Sequence, residues 1–154
     1  EITKIKPAGL TITYVDISSK MIQLSKKRNM GLNTVEFIEA SVEDLSFAEK
    51  KYDVILTPFL FDVLSQSTCQ HVFKKLTASL KTKGLWFYTD FFLSDKSKYW
   101  QKFVLKIMYV FFRFTCKIEA TKLPAVEIYF SKYETIFHNT YCKHFIVSKV
   151  FRQP

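Results

Sequence analysis

"LTITYVDISSKMIQLSKKRN" (residues 10–29) changes its periodicity part-way through. Leu10, Ile12, Tyr14 and Val15, with threonines between them, have the β-branched and aromatic character of a strand. The run ends at Asp16. Ser18 or Ser19 can cap a helix over 19–30, in which Met21, Ile22 and Leu24 precede the cations Lys26, Lys27 and Arg28 of the last turn. Gly31 is the expected stop. A strand that hands over to a helix this quickly is half of a βα unit. The acid at the joint has two readings. It caps the helix, or its two acceptor oxygens take both hydroxyls of a ribose.

The alternation continues outward from this stretch. Residues 2–6 read as a helix end stopped by Pro7, with the turn running to Gly9. "VEFIE" (35–39) is a second strand and "ASVEDLSFAEKK" (40–51) a loop. "YDVILT" (52–57) is a third strand, nearly all apolar as in a strand buried on both faces of a parallel sheet. "PFLFDVLS" (58–65) is a loop. Val72, Phe73, Leu76 and Leu80 predict a helix over 67–81, with Gly84 closing the turn before a fourth strand, "LWFYT" (85–89). A long helix over 97–119, a short one over 125–132 and two tail strands complete the chain. This order predicts an α/β, Rossmann-like doubly wound sheet, mostly parallel and closed by an antiparallel strand pair. No shift of composition marks a boundary, so residues 1–154 read as a single domain.

The chain's 154 residues suffice for one core, and 48% apolar with 24% charged residues is ordinary for a globular fold. Sixteen Phe and eight Tyr make any pocket aromatic-lined. A net charge of +9 suits nucleic acid, an anionic membrane surface or an anionic ligand without choosing among them. Cys69, Cys116 and Cys142 are odd in number and form no CxxC, which fits a reduced, cytoplasmic compartment better than a disulfide or zinc framework. "HNTYCKH" (138–144) would scatter its ligands along a strand, so no metal is expected. Nothing in the sequence points to secretion or a membrane span.

In an open parallel sheet, ligands sit at the carboxyl ends of the strands. Those ends carry Asp16, then Ala40 to Asp44, then Thr57, Pro58 and Phe59, then Asp90, Phe91 and Phe92. A nicotinamide dehydrogenase also places an acid after its second strand, but a dinucleotide fold would continue with βαβ units where this chain turns to an antiparallel tail.

"ITYVDISSKMIQLSKKR", "VEFIEASVEDLSF", "KYDVILTPFLFDVLS" and "LKTKGLWFYTDFF", in that order and closed by the tail pair, resemble the class I S-adenosylmethionine-dependent methyltransferases from their second strand onward. The resemblance covers nearly the whole chain. It implies S-adenosyl-L-methionine as cofactor, with Asp16 on the ribose and Ile17 against adenine. Ser41 and Val42 would stand at the adenine edge, and Thr57 and Pro58 beside the methionine part. The family often has Gly-Asp where this chain has Ala40-Ser41. The family's first strand and its Gly-rich turn have no counterpart here, since Gly9, Gly31 and Gly84 make no such turn. The expectation is therefore an N-terminally incomplete domain, its sheet lacking a central strand.

"KYWQKFVLKIMYVFFRFTCKIEA" (98–120) sets Lys98, Lys102, Lys106, Arg113 and Lys117 on one helical face. The remainder is mainly aromatic and aliphatic. It reads as a core helix with a solvated basic stripe, or as a lid over an apolar substrate or a peripheral contact with anionic membrane through 98–117. The resemblance favours the lid, because the family places substrate-binding insertions after the fifth strand, here 97–132. The candidate substrate pocket is Asp62, Asp90, Phe91, Tyr99 and Trp100. Either acid orients or deprotonates a nucleophile, or merely caps a turn. Tyr99 and Tyr109 read as packing residues.

The expected function is S-adenosylmethionine-dependent methyl transfer to a small or lipid-like acceptor. The alternative is a degenerate, basic Rossmann-like domain that binds a partner, RNA or a membrane surface without catalysis. Specific nucleic-acid recognition is not expected, because no basic-aromatic stacking platform is visible.

Overall fold

The strands carry the runs of β-branched and aromatic residues, and the first two α-helices each begin at a serine cap. The computed structural model describes residues 8–93, 98–116 and 123–154, the side chains of 111–116 excepted. The helix end expected at 2–6, the stop at Pro7, the side chain of Arg113 and Lys117 lie outside the described residues. The chain divides into two compact units, residues 1–46 and 47–154.

In the first unit, β1 (Ala8–Asp16) pairs parallel with β2 (Leu32–Glu39), Tyr14 opposite Phe37 and Asp16 opposite Glu39. Between them α1 spans Ser19–Lys26, and the Ser18 hydroxyl accepts from the Met21 amide. Ile22 anchors the helix, at 3% exposure. The helix stops four residues before the expected end at 30. Asn29 takes the Gly31 amide on its own side chain at 2.8 Å, a local turn that competes with helical continuation. Gly9 lies inside β1 rather than in a turn.

The second unit holds β3 (Tyr52–Pro58), a 3-10 turn (Phe61–Val63), α2 (Gln66–Ser79), β4 (Leu80–Phe91), α3 (Tyr99–Cys116), a second 3-10 segment (Val126–Lys132), β5 (Glu134–Tyr141) and β6 (Ile146–Arg152). The sheet order is β3-β4-β6-β5. β3 and β4 are parallel, and β6 is antiparallel to both its neighbours. The described strands thus form two sheets, and the antiparallel tail closes the second one.

Ser65 caps α2 by accepting from the Thr68 amide. The helix then lays Val72, Phe73 and Leu76 on the sheet. Trp86 is fully buried, stacked on Phe73 at 5.0 Å with Phe130 edge-on at 5.1 Å. Phe130 stacks in turn on Phe151 at 4.0 Å. Burying one such side chain stabilises the fold by about 1.5–3 kcal/mol, so this aromatic column dominates the core. Lys83 turns left-handed before Gly84. A Cβ at Gly84 would meet the Leu80 side chain and the Lys81 carbonyl at 2.7 Å, so only glycine fits.

One expectation fails on β3. Ile55 and Thr57 are buried, but Val54 and Leu56 are 41% and 55% exposed, so the strand is covered on one face only. The cover is α2 and the second 3-10 segment, and among the described residues of this unit no helix lies on the opposite face of its sheet. α3 also departs from a pure core helix. Leu105 and Gln101 face inward, while Phe103, Ile107 and Val110 are more than half exposed beside the exposed Lys102 and Lys106. No helix among the described residues is long and apolar enough to cross a membrane.

Candidate functional site

Strand parity places an acid in the core. Trp86 and Tyr88 point under the sheet, and the same two-residue period carries Asp90 inward to 2% exposure. Asp62 comes from the 3-10 turn after the neighbouring strand β3 and is 4% exposed. The Asp90 Oδ1 accepts from the Phe91 amide at 2.9 Å. Among the described residues, Asp90 Oδ2, Asp62 Oδ1 and the Tyr109 hydroxyl are all buried without a hydrogen-bond partner. Such orphan atoms are uncommon, because each gives up solvation for nothing.

Burial raises the pKa of Asp90 well above the usual carboxylate range, and the charge of Asp62 raises it further. Backbone amides at Phe91, Asp62 and Phe61 oppose the shift without cancelling it. Asp62 is also raised by burial, against its own amide and that of Val63. Two carboxyls in one low-dielectric site cannot both ionise readily, so the pair is suited to holding one proton. The Tyr109 phenol is raised by burial first and then by the charges of Asp62 and Asp90, which places it in the same field. Chemically, the group can accept a proton from a nucleophile or hold a hydroxyl or amine by hydrogen bonds.

Sequence reasoning found the two acids and set Tyr109 aside as a packing residue. The available signal was its i+4 spacing from Leu105, which puts a phenol on the buried side of α3. The remaining pocket candidates do not all join this group. Phe91 is half-buried between Phe59 and Phe145, each 5.0 Å away, and Trp100 packs edge-on against Phe145 at 5.5 Å. Tyr99 is 92% exposed at the start of α3, away from the acids.

The cofactor candidates fall in both units. At the end of β1, Asp16 Oδ1 accepts from the Ser18 amide at 2.9 Å and Oδ2 from the Tyr14 hydroxyl at 3.3 Å. The carboxylate is thereby oriented, and lone pairs remain on both oxygens. Ile17 beside it is 69% exposed, an apolar surface that a flat base would cover. Asp16 and Ile17 therefore fit a nucleoside. Ser41 accepts from the Glu43 amide at 3.3 Å and turns the chain after β2, with Val42 half-buried next to it. Thr57 contributes no side chain to a ligand. It is 3% exposed, and its hydroxyl accepts from the Trp86 indole at 2.9 Å.

The sequence profile of a family described as "Methyltransferase domain" matches residues 2–84, more than half of the chain. The chain belongs to this methyltransferase family. The fold agrees with solved methyltransferases. One is a SAM-dependent methyltransferase from Methanosarcina mazei, 13% identical, covering 97% of this chain and 85% of that one at a TM-score of 0.59. Another is the N-methyltransferase NodS from Bradyrhizobium japonicum, 12% identical, covering 96% and 85% at a TM-score of 0.62. Comparison with curated protein sequences returns no match. The fold is the Rossmann-like α/β fold of these enzymes. The methyltransferase uses S-adenosyl-L-methionine, and its antiparallel tail and acid-ended first strand are the features by which the sequence resembled that class.

Proposed function

We propose that this methyltransferase transfers its methyl group to a small or lipid-like acceptor, whose nucleophile is held by Asp62 and Asp90. The observation that carries this reading is the pair of buried carboxyls with unclaimed oxygens at the carboxyl ends of β3 and β4. S-adenosylmethionine supplies the electrophilic methyl. Within the first unit, Asp16 and Ile17 would hold its nucleoside, with Ser41 and Val42 at the base. Asp62 and Asp90 share one proton and take a second from the acceptor as its lone pair engages the methyl carbon. Orientation is the larger part of catalysis in such an in-line displacement, and exclusion of water the smaller.

The lipid-like character rests on α3. Tyr99, Phe103, Ile107 and Val110 form an exposed apolar stripe, and Lys98, Lys102 and Lys106 run beside it. An apolar stripe with a basic flank suits the surface of an anionic membrane, where an amphiphilic acceptor resides.

The test is transfer of a tritiated methyl group from S-adenosylmethionine to anionic phospholipid vesicles and to a panel of water-soluble amines and phenols. Label in a small-molecule or lipid product that is lost in the Asp62→Asn and Asp90→Asn variants supports the reading. Undiminished transfer in both variants overturns the role of the acids, and transfer confined to macromolecules overturns the acceptor class.

A further inference from the structure

A second polar site lies beside the acid pair in the larger unit, between the start of α3 and the β5–β6 hairpin; Val147, which lines it, is the register partner of Asp90. It is a cleft of about 770 Å³, within the range of small-ligand sites. Its floor includes Val147 and Phe92, and its polar rim is Lys98, His138, Lys143, His144 and Lys149. Among the described residues one acid lines it, Glu127, and that acid is taken by Lys149 at 2.8 Å. Lys98 and Lys143 have no ion pair among the described residues.

The backbones of Lys98 and Lys143, which both line the cleft, are tied together by a single buried side chain. Gln101 is 2% exposed; its Oε1 accepts from the Lys98 amide at 2.7 Å, and its Nε2 donates to the Lys143 carbonyl at 2.9 Å. The hairpin is shaped to the same end. Cys142, Lys143 and His144 hold φ of 50°, 58° and 65°, three successive non-glycine residues in the left-handed region. The His144 Nδ1 is fixed by the Thr140 hydroxyl at 2.8 Å, which leaves Nε2 without a partner among the described residues. Cations lining one cleft make its potential positive, which favours an anion there. The N-terminus of the 18-residue helix α3 adds positive potential at the same place.

We propose that this cleft binds a phosphate group, carried by a soluble ester or a lipid headgroup, through Lys98, Lys143 and His144, with the substituent over Phe92 and Val147. Two ammonium groups and an imidazole match a compact, multiply charged anion better than they match a single carboxylate. The site shares no residue with the Asp62–Asp90 pair, so it stands or falls separately from the acceptor reading.

The test is titration of the full chain with glycerol 3-phosphate and with dihexanoyl phosphatidic acid below its micelle concentration, following the imidazole resonances of His138 and His144. Saturable shifts with glycerol 3-phosphate identify a site for phosphate esters in general. Shifts with the short lipid alone identify a headgroup site. In the Lys98→Gln/Lys143→Gln double variant, affinity falls tenfold or more. In Glu127→Gln, which frees Lys149, affinity rises. Neither ligand producing a shift, or equal affinity in the double variant, overturns the proposal.

Discussion

The Trp86 indole donates to the Thr57 hydroxyl at 2.9 Å across the β3–β4 pair, and both side chains are buried. The bond fixes the aromatic column against the strand that ends beside the acid pair. Thr57→Val keeps the shape and removes the acceptor, leaving the indole N–H stranded. The expected loss is about 1–3 kcal/mol of unfolding free energy, measured by urea denaturation.

Asp16 can be a turn-former, a ribose ligand or both, and two variants separate the roles. Asp16→Asn keeps an oxygen for the Ser18 amide but loses the charge-assisted bonds to a diol. It is expected to leave stability nearly unchanged and to weaken S-adenosylhomocysteine binding by about 1.5–3 kcal/mol in calorimetric titration. Asp16→Ala loses the turn as well and is destabilised in addition.

The acid pair gives stability a defined pH dependence. Both carboxyls are raised in the folded chain, so folding favours their protonated forms. That contribution is complete below the unfolded carboxylate value of about 4 and is lost as the pH rises through the higher folded values. Asp90→Asn removes the larger part. Wild-type stability minus variant stability is expected to fall steadily from pH 4 to alkaline pH in denaturant titrations.

Gly84→Ala places a methyl group 2.7 Å from the Leu80 side chain and from the Lys81 carbonyl, neither of which can withdraw freely. The expected destabilisation is about 1–3 kcal/mol by thermal or chemical unfolding.

The strands, their order and the antiparallel tail were legible because β-branched alternation and serine caps are local signals. Asp90 was legible at the end of its strand, and parity with Trp86 and Tyr88 gives its inward direction. Other features depend on distant partners. Periodicity gave α3 an apolar stripe but not what it meets, so the exposure of Phe103 and Ile107 was hidden. Val54 and Leu56 read as buried because an apolar run cannot show that one sheet face lacks a helix. The pairing of Lys98 with Lys143 runs through Gln101, across 42 residues between donor and acceptor, and no sequence spacing encodes it.

The uncovered face of β3 has a colloidal consequence. Val54 and Leu56 stand on a strand that, among the described residues, pairs with β4 alone, and an apolar edge strand is a template for further strands. The excess of 23 basic over 14 acidic residues opposes that stickiness by mutual repulsion between molecules. Salt removes the repulsion and spares the adhesion, since screening shortens the reach of charge from about 10 Å at 0.1 M to about 3 Å at 1 M. The chain is thus expected to be most dispersed in dilute buffer and to scatter more light as salt is added, which a turbidity titration measures.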